Sequence, residues 1–175
     1  LSDVALAPNP RTIPAYGLPP GDPTFAGFEW FVANIMNVPF PSIPPTSWLN
    51  VAYTMGINLA YTGLQGVPSD PTGPSIYAMA VYNLAGAYLV AFAIDDPSLQ
   101  PPSNYWSNLQ TQYGINSAAF GIITSAADQG TADSLYIPES IKNMTFNDLW
   151  LAKTPWGQAY LRIAGQWGYI WGIKF

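Results

Sequence analysis

The side chains able to do chemistry are few. The chain has ten acidic and five basic residues, with no histidine and no cysteine. Imidazole and thiolate nucleophile-base pairs, zinc sites and disulfides therefore have no material, and the redox compartment stays open. A hydrolase working with two carboxylates needs only a pair of acids at a suitable separation. Asp95 and Asp96 are adjacent, but they run into Pro97 at the end of a predicted helix, where a solvated turn is expected. Asp128 and Asp133 flank Gln129 and Gly130 in a predicted hairpin turn. They lack the alternating oxygen ligands of a calcium loop. The stretch GLQG at 63–66 lacks the Lys and Ser/Thr of a phosphate cradle, and Asn143-Met144-Thr145 is a glycosylation sequon at chance level. These residues predict no enzyme, no metal and no cofactor.

Composition points elsewhere. Only 9% of the 175 residues are charged and 49% are apolar, where an ordinary soluble domain has roughly 25% charged residues. Such a surface either stays soluble through Asn, Gln, Ser and Thr or is largely buried in an assembly, and the assembly is the expectation. Charge is also uneven. Lys142, Lys153, Arg162 and Lys174 are four of the five basic residues and lie in the last 34 positions, where Asp148 is the one acid after Glu139. An acidic body argues against a nucleic-acid grip, which needs a basic groove. It suits a protein that lets a polyanion pass, or one that joins an acidic face to a basic one.

The elements that would position these groups follow from periodicity and turn chemistry. The length suits one domain. Ten of the eighteen prolines fall in the first 45 residues, so residues 1–21 are expected as an extended arm. Its opening carries no charged n-region or small-residue cleavage site, so no secretory signal is read there. Asp22 and Pro23 predict an N-cap and first residue for a helix to about Asn37. Thr46 or Ser47 would cap a second helix with Leu49, Tyr53, Ile57 and Ala60 on one face. Residues 75–94 form an uncharged run about as long as a bilayer span. Acids flank it, no Lys or Arg orients it, and Asn83 with three tyrosines interrupts it. A helix buried on all sides of a bundle is expected instead.

A short polar helix is predicted in 105–114. Two segments, about 119–125 and 132–137, then read as a β-hairpin within 119–137. Thr145 three residues before Asp148 is a weak capping box, and Thr154 with Pro155 starts a last helix that Gly165 stops. The fold class is mainly α, a helical bundle over 22–165 with an inserted β-hairpin. Beyond Gly165, Gly168 and Gly172 break any helix. Residues 166–175 are thus expected as an extended docking tail whose Trp167, Tyr169, Ile170, Trp171, Ile173, Lys174 and Phe175 bind a partner's sheet edge or groove.

The run FGIITSAADQGTADSLYIPE, followed after a gap by DLWLAKTPWGQAYLRI, resembles the head-tail connector proteins of tailed phages, also described as neck, adaptor or head-completion proteins. The likeness lies in the order: apolar helices, a hairpin opening with Gly, Ile, Thr and Ser, and a helix begun by Thr154, Pro155, Trp156, Gly157 and Gln158, with Tyr160 and Leu161 behind. It covers roughly residues 46–165; the proline-rich arm and the glycine-tryptophan tail depart from it. The resemblance implies a virion protein made in the host cytoplasm, without catalysis, cofactor or membrane span. It would form a homo-oligomeric ring, usually of twelve copies, between the portal protein and the tail or tail-terminator protein. DNA would pass without specific binding, and Asp128 and Asp133 would face the lumen or a neighbour to repel it. The competing expectation is a secreted or surface module that uses its aromatics to bind carbohydrate or protein.

Overall fold

A computed structural model describes residues 17–67, 69–96, 104–115, 125–128, 131–134 and 146–167. It is mainly helical. The helices are α1 (Phe25–Asn34), α2 (Thr46–Leu59), α3 (Ile76–Phe92), α4 (Tyr105–Gln112), α5 (Phe146–Leu151) and α6 (Pro155–Trp167). Short 3-10 turns lie at Phe40–Ser42 and Thr62–Gly66.

Helix α3 is the centre of the core. Ser75 caps it, its hydroxyl accepting from the Ala78 N–H at 3.0 Å. Tyr77, Val81, Tyr82, Leu84, Ala85 and Leu89 are all buried, Ile76, Met79, Tyr88 and Phe92 partly so, and no residue of α3 is fully exposed. The expectation of a helix buried on all sides holds, and among the described residues no helix is long and apolar enough to cross a membrane. Helices α2 and α6 make the most extensive contacts with α3. Close approach of α2 depends on Gly56. A Cβ there would lie 2.7 Å from the Val81 carbonyl oxygen and 2.8 Å from the Ala85 Cβ.

Two helix starts differ from expectation. The cap of α1 is Thr24, not Asp22: its hydroxyl accepts from the Gly27 N–H at 3.0 Å, and its own N–H donates to the Tyr82 hydroxyl at 2.9 Å. Just before Asp22, Gly21 takes a left-handed φ of 86° and bridges to Pro74. Gly21 donates to the Gly73 carbonyl at 3.1 Å and accepts from the Ser75 N–H at 2.9 Å. Helix α1 also ends at Asn34, short of the expected Asn37. Asn37 takes a left-handed φ of 53°, which asparagine tolerates better than most residues. Helix α2 begins at Thr46 with Pro45 in the cap position and no side-chain cap bond, so neither Thr46 nor Ser47 caps it. The Pro45 carbonyl instead accepts from Trp48 and Leu49 at 3.0 and 3.2 Å.

The described strands are β1 (Ser125–Asp128) and β2 (Thr131–Ser134), antiparallel, with Ser125 opposite Ser134 and Asp128 opposite Thr131. The first predicted segment, 119–125, shares only Ser125 with this ladder, and the rest of it lies outside the described residues. So do the arm over 1–16 and residue Thr145.

The end of the chain brings the clearest correction. Helix α6 passes through Gly165 to Trp167. Glycine in a helix interior costs about 1 kcal/mol relative to alanine, but Tyr160 and Ala164 are buried in the core beside it. Packing outweighs propensity, so residue 167 is helical rather than extended.

Candidate interaction surface

Of the adjacent pair Asp95 and Asp96, Asp95 is engaged structurally. Asp95 holds the start of α4: Oδ1 accepts from the Trp106 N–H at 2.9 Å, and Oδ2 accepts from the Ser107 N–H at 3.0 Å and the Ser107 hydroxyl at 2.5 Å. It thus caps α4 in place of Asn104, whose side chain makes no cap bond. Asp70 closes a tight turn, its Oδ1 accepting from the Thr72 hydroxyl at 2.6 Å and the Thr72 N–H at 2.8 Å. The Thr72 hydroxyl, and then its N–H, hold the Asp70 carboxyl below the usual carboxylate range. Among the described residues no group of three or more acidic, histidine or cysteine side chains could hold a metal ion. Asp128 pairs with Thr131 and Asp133 with Ala126, so the two acids take diagonal rather than directly opposed register positions.

Helix α4 is also tied to the end of α3. The buried Gln110 amide donates to the Val90 and Ala93 carbonyls at 2.9 and 2.7 Å, satisfying oxygens that a helix end leaves without partners. The Trp106 indole donates to the Ser42 carbonyl at 2.8 Å. Between these elements Pro41, Ile43, Pro45, Ile94, Asp96 and Trp106 help to line a cleft of about 160 Å³.

At the other end the Thr154-Pro155-Trp156-Gly157 corner explains its own composition. Thr154 is 1% exposed, and its hydroxyl accepts from the Gly157 N–H at 3.0 Å. Pro155 takes the first helical position, where no N–H is needed. A Cβ on Gly157 would overlap the backbone of Leu151, with the carbonyl carbon 2.7 Å away. Trp156 meets the edge of Tyr113 at 6.1 Å, and Trp150 lies 5.3 Å from Tyr88. Lys153 donates to the Gly114 carbonyl at 2.7 Å, fixing α4 to the α5–α6 corner.

Of the residues expected to bind a partner, Trp167 lies at the end of α6. Tyr169, Ile170, Trp171, Ile173, Lys174 and Phe175 lie outside the described residues. The described surface offers a different feature. Ile35, Phe40, Val51, Leu59, Tyr61 and Ile94 are exposed by 37–67%; Val51 and Leu59 lie on α2, Tyr61 lies two residues past its end, and Ile94 shares a cleft with Pro45 at its start. Residues 30–69 carry no charged side chain. Leu49, Tyr53, Ile57 and Ala60 mark the inward face of α2. Its complement was visible as Trp48, Val51, Met55 and Leu59, spaced three, four and four apart.

No family model, curated protein or solved structure matches this chain.

Proposed function

We propose that this chain is a structural subunit of a virion, a head-tail connector that forms a ring between portal and tail and lets DNA pass without binding it specifically. The observation that carries this reading is the exposed, uncharged apolar surface at α2. A free monomer gains nothing from such a surface, while a subunit buried on two sides by its neighbours requires one.

Two further features support the connector assignment over other assemblies. The Thr154–Gly157 corner, on which the resemblance rests, is built so that each residue has a separate task in turning α5 into α6. The paired strands β1 and β2 precede it in the expected order, and in this reading they are the tip of an inserted hairpin that carries Asp128 and Asp133 towards the lumen. The reading assigns no catalysis; Asp95, one of the two adjacent acids, is engaged in starting α4. The tail beyond Trp167 docks on the portal or on the next subunit.

The test is truncation after Trp167 in particles that carry this protein. The reading expects a chain that still folds and yields heads unable to retain tails. Particles that assemble and hold tails normally with the truncated chain contradict it.

A further inference from the structure

We infer that the outer ridge of α2 is the surface by which one copy of this chain seats on another; this rests on the ring reading above. The ridge is continuous. The rings of Trp48 and Phe92 meet at a tilt, 6.2 Å between centres, and Pro45 and Ile94 line one cleft, which joins the start of α2 to the exposed Ile94. Val51 and Leu59, 53% and 44% exposed, continue it along the helix. Beside it runs a polar but uncharged stripe of Ser47, Asn50, Thr54 and Asn58.

Area and charge decide what covers it. A large aromatic side chain buries roughly 150–250 Å² and the aliphatic ones somewhat less, so Val51, Leu59, Tyr61 and Ile94, 37–67% exposed, offer on the order of 350 Å² of apolar surface. With the polar stripe as rim this approaches the ~800 Å² per partner of a standard protein interface. It also exceeds what a small ligand needs. The chain carries a net charge of -5, so two copies that meet through acidic faces repel each other. Residues 30–69 carry no charge, so a second copy can approach the ridge of α2 without that penalty. A basic partner would gain from the acidic faces instead and has no reason to select this one.

The experiment is a native mass measurement of the full chain across a concentration series, with Val51→Glu and Leu59→Glu combined. Asn108→Glu on the exposed face of α4 adds the same kind of charge elsewhere, and Val51→Ile with Leu59→Met keeps the ridge apolar. The wild type, the α4 variant and the apolar pair should associate. The double Glu variant should associate on the order of a hundredfold more weakly, since it buries unpaired charge, with an unchanged helical circular-dichroism spectrum.

Equal association of the double Glu variant overturns the inference while leaving a ring possible through other surfaces. A wild type that stays a single chain at every concentration also overturns it. So does binding of the wild type to neutral phosphatidylcholine vesicles in place of self-association, lost in the double variant. Collapse of the helical spectrum in that variant shows that the two positions serve the monomer's own core, and overturns it as well. The ring reading itself is judged separately, by where the chain lies in the particle.

Discussion

Gly157→Ala sets two effects of known size against each other. Alanine gains about 1 kcal/mol over glycine in a helix interior. The added methyl must enter space occupied by the Leu151 carbonyl group, whose carbon would lie 2.7 Å from it. That neighbour is backbone, and it cannot rotate away as a side chain would. It can only move if the α5–α6 corner opens, which pulls on the Thr154 cap bond of 3.0 Å and on the buried Leu151 and Tyr160. Overpacking of this kind costs about 1–3 kcal/mol, at the upper end where backbone is displaced. The close contact should win, with a net loss of about 2 kcal/mol and a fall in Tm of about 4–8 °C for a chain of this size. Urea titration followed by circular dichroism measures it. Gly66→Ala, where no atom lies within 4 Å of the added Cβ, should be neutral or stabilising by about 0.5–1 kcal/mol. A Gly157→Ala protein as stable as wild type, or more stable, refutes the close approach and the account of the corner built on it.

Asp95→Ala removes all three bonds that start α4, and should lower the urea-derived stability by about 1–2 kcal/mol; an unchanged midpoint would show that Asn104 can take over the cap. Burial, and then the proximity of Tyr82 and Tyr77, push the Tyr53 hydroxyl up to about 12 from its ordinary 10. The unfolded chain releases this proton near 10 while the folded chain still holds it, so the contribution is complete below pH 10 and is lost as pH rises from 10 to about 12. Tyr53→Phe should therefore flatten the decline of stability over that range, as well as losing the 2.8 Å bond to the Pro23 carbonyl; a decline as steep as that of wild type counts against the shift. Truncation after Trp167 should retain the helical spectrum with a Tm close to wild type, and a chain that unfolds would show the tail to be part of the core.

The helices were legible where local pattern and burial agree. Helix α3 carries apolar residues around its whole circumference, the pattern of a helix covered on all sides of a bundle. The Thr154-Pro155 start was equally readable because its cap bond is local. Errors arose where distant groups decided the outcome. Thr24 caps α1 because Tyr82 fixes its N–H from 58 residues away. Asp95 caps α4 from eleven residues upstream, a separation at which no capping pattern signals it. Gly165 looked like a stop because propensity was weighed without the buried Tyr160 and Ala164 that carry α6 onward. The α2 ridge was missed for another reason. Two apolar stripes share that helix, and the sequence alone does not say which of them meets α3. Gly56 settles it, since only a side of α2 without a Cβ can lie against the Val81 carbonyl.

The measurement that bears most directly on the proposed role is a cryo-electron microscopy reconstruction of the neck of a particle carrying this protein. The account predicts a closed ring of copies between portal and tail, with each copy burying more than about 1,000 Å² of total surface against its neighbour, α2 at that contact, and a lumen wide enough for duplex DNA. Copies that stand apart from one another, or density for this chain away from the portal–tail junction, would contradict it.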